Sequence, residues 1–148
     1  MNEDLKMSHA GLQLIKNAEG LRLEAYPDPA TGGAPWTIGY GSIGGVSQGM
    51  VITEEQAEER LREDVRFAEI GVRTYATVPL TQHQFDALTD FAFNCGIGAL
   101  RSSTLLHKLN QRDYLGAAEE FKRWDMAAGK HMPGLAKRRA AEAEMFLA

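Results

Sequence analysis

Glu19, Asp28 and Thr37 fall within one short stretch, EGLRLEAYPDPATGGAPWTIGYG, and supply the groups that acid–base cleavage of a glycosidic bond requires. One carboxyl protonates the departing oxygen, a second activates water, and a nearby hydroxyl orients that water. Leu12, Ile15 and Ala18 recur at helical spacing behind Ser8, an N-cap candidate, so Glu19 is predicted in the last helical turn with Gly20 as the stop. A helix C-terminus opposes a carboxylate anion by ~0.3 to 1 kcal/mol, which suits a proton donor. Asp28 lies among Pro27, Pro29, Gly32, Gly33 and Pro35, residues that impose a loop. Trp36, Thr37, Ile38 and Tyr40, punctuated by Gly39 and Gly41, predict a short strand. Singly, these are a solvated glutamate, a turn aspartate and a strand threonine; their joint arrangement is what points to glycosidase chemistry.

The chain resembles the phage-type lysozymes, the muramidase endolysins of tailed bacteriophages. The matching residues are Glu19-Gly20-Leu21-Arg22, Tyr26 with Asp28, and Trp36-Thr37-Ile38-Gly39-Tyr40-Gly41. Others are Gln84 to Leu88, Phe91 to Asn94, Ser102 to Leu106, and Pro133-Gly134-Leu135 with Arg138 and Arg139. The resemblance implies Glu19 as acid, Asp28 as base and Thr37 as water-positioner. It also implies Asn94 as a substrate-facing amide, with a helix-terminal asparagine as the alternative. Arg138 is a substrate-binding candidate, and either Arg138 or Arg139 is a partner for Glu19; an exposed helix arginine is the alternative for both.

Two departures stand out. The nine-residue step from Asp28 to Thr37 is longer than the family's usual loop, and this Pro/Gly-rich insertion bears on where the base sits. Relatives commonly place histidine, a partner in a stabilising ion pair, where this chain has Ser42.

With 148 residues and 44% hydrophobic content, the chain is long enough for a single core. Its net charge of −4 is divided: residues 1–100 hold 7 Lys+Arg against 14 Asp+Glu, and residues 101–148 hold 9 against 6. The basic C-terminal part suits an anionic wall glycan or bacterial surface, although Glu142 and Glu144 beside Lys137-Arg138-Arg139 favour a solvated helix face. No basic stripe interleaved with aromatics points to nucleic acid. Cys95 is alone and reads as a small buried residue; His9, His83, His107 and His131 lack metal-ligand spacing, so neither metal nor cofactor is expected. Glu3, Asp4 and Lys6 interrupt any apolar N-terminal run. The expectation is a monomer without a membrane span, held in the host cytoplasm until a phage-encoded hole-forming partner gives it access to peptidoglycan in the periplasm.

The fold class expected is α+β, mainly α: one lysozyme-like domain over 1–148, two-lobed. Residues 1–52 form the first helix and a β-rich lobe, 53–75 a connecting helix, and 76–148 a helical lobe, with a cleft at the junction. Thr53 with Gln56 and Thr81 with Gln84 form capping-box signatures. Later helices are predicted at about 103–110, 113–124 and 134–147, leaving the second half all helical. Gly39-Tyr40-Gly41-Ser42-Ile43-Gly44 fits GxGxxG, but no helix starts within it, so dinucleotide binding is set aside. Trp124 is read as core filling before sugar stacking.

The resemblance thus implies hydrolysis of the β-1,4 bond between N-acetylmuramic acid and N-acetylglucosamine by inverting single displacement, for host lysis. A lytic transglycosylase, which needs no water, and a non-catalytic peptidoglycan-binding module stay open. The Asp28 and Thr37 pair weighs against the first and Glu19 against the second.

Overall fold

A computed structural model describes residues 1–148. In chain order the elements are α1 (His9–Glu19), β1 (Arg22–Tyr26), β2 (Thr37–Gly39), α2 (Glu54–Asp64), α3 (Arg66–Tyr75), α4 (Gln82–Cys95) and α5 (Ile97–Ser102). Then follow α6 (Thr104–Asn110), α7 (Tyr114–Glu120), a 3-10 turn (Phe121–Arg123), β3 (Met126–Ala127), β4 (Lys130–His131) and α8 (Pro133–Leu147). The chain divides into two compact units, residues 15–66 and residues 1–14 with 67–148. No helix is long and apolar enough to cross a membrane.

In the 15–66 unit, β1 and β2 pair antiparallel, with Arg22 opposite Gly39 and Tyr26 opposite Thr37. Residues 50–52 add to the other edge of β1: the Ala25 N–H donates to the Met50 carbonyl and the Ile52 N–H to the Leu23 carbonyl, both at 2.9 Å. Strand alternation sends Ala25 and Ile38 inward to Ile52 and Ala57. Tyr26 and Thr37, the neighbours in sequence, are left on the opposite face. The capping box at Thr53 and Gln56 is formed and starts α2. The stretch expected as one helix over 53–75 is two, α2 and α3, meeting at Val65. Ala57, Leu61, Val65 and Ala68 nonetheless form one buried stripe across the break.

The larger unit is built around α4, which opens with the second capping box, Thr81 with Gln84. Phe85, Leu88 and Phe91 are fully buried, and Phe91, Phe121 and Phe146 meet edge to face with centroids 5.6–5.7 Å apart. Burying each such ring contributes about 1.5–3 kcal/mol. Trp124 joins them, 5.3 Å from Phe91, as core filling. Asp86, buried in α4, accepts the Ser8 N–H at 3.0 Å and is hydrogen-bonded to the Ser8 hydroxyl. An anion is thereby set at the positive end of α1. Gly11 permits the approach, since a Cβ there would meet Asp86 Cγ at 2.7 Å.

The second half is not all helical as expected, because β3 and β4 form a hairpin with Ala127 opposite Lys130. Its two-residue turn, Ala128-Gly129, has φ of 51° and 78°, the pair of positive values that a type I′ turn demands. Alanine is ill-suited to that first position. Ala128→Asn is therefore expected to stabilise the protein by about 0.5–1 kcal/mol, read as a higher denaturation midpoint with an unchanged denaturant slope.

Candidate active site

α1 ends where the sequence places its end: Gly20 adopts φ of +73° and its N–H donates to the Lys16 carbonyl at 2.9 Å. Glu19 is left as the exposed final helical residue. The chain then returns to it. Ile38 and Ser42 exchange backbone hydrogen bonds at 2.9 Å, closing the tight turn Gly39-Tyr40-Gly41, whose glycines take φ of +65° and +82°. A Cβ on Gly41 would lie 2.9 Å from Glu19 Oε2, so the carboxylate rests over a bare Cα. The GxGxxG run set aside as a nucleotide motif is in fact the turn that receives the Glu19 carboxylate. One helical turn back, Lys16 Nζ lies 2.8 Å from Glu58 Oε1 and 5.4 Å from the Tyr40 ring centroid, bracing the end of α1 against α2 and this turn. Glu58, on α2, is one anchor of that brace.

Asp28 hangs from the same hairpin, two residues beyond Tyr26, which pairs with Thr37. The long loop folds on itself. The Asp28 N–H donates to the Gly33 carbonyl at 2.9 Å, and the Asp28 carbonyl accepts the Gly32 N–H at 2.8 Å. The Thr31 hydroxyl donates to the Ala34 carbonyl at 2.9 Å. Oδ1 of Asp28 accepts the Ala30 N–H at 2.8 Å, an Asx turn that leaves Oδ2 as the oxygen to face a ligand. The nine-residue step from Asp28 to Thr37 is thus folded onto itself, and Thr37 stands opposite Tyr26. Both Asp28 and Thr37 are half-buried.

Ser42, the residue after the Gly39-Tyr40-Gly41 turn, is buried and has polar partners. Arg60 Nη1 donates to its hydroxyl at 3.3 Å and to the Gly44 carbonyl at 2.9 Å, and its hydroxyl bonds to the Asp64 carboxylate. Burial pushes the Asp64 carboxyl up, against the Ser42 hydrogen bond and the Arg60 charge.

The other two candidates lie in the larger unit. Asn94, near the end of α4, is half-buried, and its Oδ1 accepts Arg139 Nη2 at 2.7 Å. The amide oxygen is committed inward, so its NH2 is the group Asn94 has to offer a ligand. Arg138 and Arg139 correct the expectation of exposed helix arginines, at 8% and 1% exposure. Arg138 forms a fork on Asp90, with Nε at 3.1 Å from Oδ2 and Nη2 at 2.8 Å from Oδ1. Arg139 contacts Glu142 at 2.6 Å, donates to the Cys95 sulfur at 2.7 Å and lies 5.3 Å from the Phe91 ring centroid. Burial, then the hydrogen bond and charge of Asp90, raise Glu142 to about 10 against the pull of Arg139. Burial likewise pushes the Cys95 thiol up. The i, i+1 arginines gave a surface reading because Asp90, the partner of Arg138, lies 48 residues away and reaches it only when α4 and α8 meet, and because the local i, i+3 spacing of Arg139 and Glu142 does not show that the pair is buried.

The fold is the mainly helical α+β fold of the lysozyme class. A sequence model described as phage lysozyme matches residues 16–142. The chain is 48% identical over 146 residues to the endolysin of Acyrthosiphon pisum secondary endosymbiont phage 1, covering 96% of this chain and 98% of that protein. It is 48% identical over 143 residues to the endolysin of Bacillus phage PZA, where it covers 96% of this chain and 55% of that longer protein. A crystal structure of a P22 lysozyme mutant superposes with a TM-score of 0.89 at 38% identity, covering 97% of this chain and 99% of that one. The chain belongs to the phage lysozyme family, and as such it is a peptidoglycan-hydrolysing enzyme.

Two outcomes follow from the geometry. Gly41→Ala sets a methyl against Glu19 Oε2 and strains the positive φ, so kcat should fall ~10²-fold while glycan binding persists, as steady-state kinetics will read. Glu142 keeps its proton in the folded state and loses it above about 4.5 when unfolded, so the stability it contributes is full below that value and is lost as pH rises toward 10. Glu142→Gln has no proton to lose. Its melting temperature should match the native protein near pH 4 and exceed it increasingly toward pH 9.

Proposed function

We propose that the enzyme is a muramidase, hydrolysing the β-1,4 bond between N-acetylmuramic acid and N-acetylglucosamine by single displacement with inversion. Glu19 protonates the departing oxygen. Asp28 draws a proton from a water that Thr37 holds against the opposite face of the sugar. The observation that carries this reading is that Glu19 rests on the turn leading directly out of the strand that bears Thr37, with Asp28 two residues from Thr37's cross-strand partner. Acid, base and hydroxyl are thus held by one helix end and one hairpin.

Asn94 is assigned as a donor to a substrate carbonyl, since its oxygen is already taken. Arg138, with its guanidinium on Asp90, is assigned to seating α8 rather than to touching sugar. The setting is phage lysis of the host, with passage across the inner membrane supplied by a separate hole-forming protein. Attraction to an anionic surface, if C-terminal, falls to Lys137 and the other exposed cations, because Arg138 and Arg139 are buried.

A lytic transglycosylase would release 1,6-anhydro ends and incorporate no water. Digestion of purified glycan strands in heavy-oxygen water should label the new reducing end, first as the α-anomer. Unlabelled anhydro ends would remove the hydrolase reading, and a labelled β-anomer would remove inversion. Glu19→Gln, which keeps the shape and cannot donate a proton, should lower kcat by ~10²–10⁴-fold with an unchanged melting curve.

A further inference from the structure

The outward face of the β1–β2 hairpin carries a cation that the reaction scheme does not use. Arg22 is exposed, and its guanidinium carbon lies 4.6 Å from the Tyr26 ring centroid. That stack puts Arg22 and Tyr26 on one face. Ala25 and Ile38 face the core, so Tyr26 and its cross-strand partner Thr37 share the face turned away from it. Arg22 therefore stands on the face of Thr37, three residues after Glu19, with the Tyr26 ring between it and the loop that holds Asp28.

Glu24 is the other exposed charge on β1, and no carboxylate pairs with Arg22, whereas Lys16 is paired to Glu58 and Arg60 is spent on Ser42 and Gly44. The surroundings make an uncommitted cation more telling, because residues 15–66 hold five Lys+Arg against nine Asp+Glu. An anionic polymer approaching this unit meets net repulsion, and a flat guanidinium held by an aromatic ring is the one group on the hairpin that offers two parallel donors to a carboxylate.

We infer that Arg22, stacked on Tyr26, is a carboxylate-binding residue that recognises an acidic group on the stem peptide of the glycan and so favours peptide-bearing strands over neutral ones. This rests on the assignment of Thr37 and Asp28 to the cleavage site. Arg22 takes no part in the chemistry. Its contribution is to KM, and it depends on the planar fork, so lysine at this position restores it only in part.

The experiment compares peptide-bearing glycan strands with the same strands after carbodiimide amidation of their carboxylates. On the unmodified strands, Arg22→Gln should raise KM about five- to tenfold with kcat little changed, and Arg22→Lys should fall between it and the native protein. On amidated strands the native protein and Arg22→Gln should have the same KM, which also serves as the check that the variant is folded and competent. An equal KM increase on both substrates, a fall in kcat at constant KM, or a native KM indifferent to amidation would overturn the inference. Failure of the underlying muramidase reading looks different: the native protein would then release no new reducing ends from either substrate.

Discussion

The contact between a carboxylate and a bare α-carbon, Glu19 against Gly41, is the constraint from which the arrangement of the 15–66 unit follows. For the carboxylate to reach the turn, α1 must stop at Gly20, and the turn must be closed within three residues by the paired Ile38 and Ser42. A turn so tight needs positive φ at both ends, which Gly39 and Gly41 supply without steric cost. Its closing residue must then be buried, and a buried hydroxyl must be bonded. Arg60 and Asp64 meet that requirement for Ser42, and they come from α2, whose start is fixed by the capping box at Thr53. Lys16 completes the circuit by joining α1 to α2 through Glu58 and to the turn through Tyr40. The hairpin, the turn and two helix ends are in this sense one device.

A different economy governs the larger unit. Asp90, Arg138, Arg139 and Glu142 are all at least nine-tenths buried, and taking such groups out of water costs several kcal/mol per ion before any pairing. Stability alone would favour apolar residues there. What the charged set provides is direction: the Arg138 fork fits Asp90 in one orientation, and Arg139 holds the Asn94 oxygen inward so that its NH2 faces the other way. A proton retained by Glu142 limits the repulsion with Asp90. The cost falls on pH tolerance, since that proton is bound more tightly in the folded chain than in the unfolded one.

Local signals in the sequence were legible where the physics is local. The two capping boxes and the glycine stop after Glu19 all depend on residues within one turn of each other. The misses are where distant residues decide. Val65 carries no breaker, yet it separates α2 from α3, and the α5 helix begins after Gly96 with no side-chain cap to announce it. The β3–β4 hairpin is written in methionine, alanine, lysine and histidine, without β-branched residues and with alanine where asparagine or glycine would have marked a type I′ turn. For the candidate site, the joint arrangement and the resemblance put forward Glu19, Asp28 and Thr37, but not how the nine-residue loop between the last two folds; that depends on backbone bonds from Asp28 to Gly32 and Gly33.

Charge illustrates the same division between composition and placement. The C-terminal third has a surplus of basic residues, and counted as surface it would form an attractive patch for an anionic wall. Folding removes Arg138 and Arg139 from that surface, while Lys108 and Arg123 close on Glu120 and Lys122 on Glu119. The remaining exposed cations are scattered singly, and screening over ~8–10 Å at physiological salt limits how far scattered charges can cooperate. The unit that bears Glu19 and Asp28 is itself acidic. Long-range attraction is thus a weak means of bringing an anionic polymer to this face, and short-range, directional contacts have to do it. An arginine pinned flat by tyrosine is suited to that, since its effect depends on geometry at contact and not on a field that salt removes.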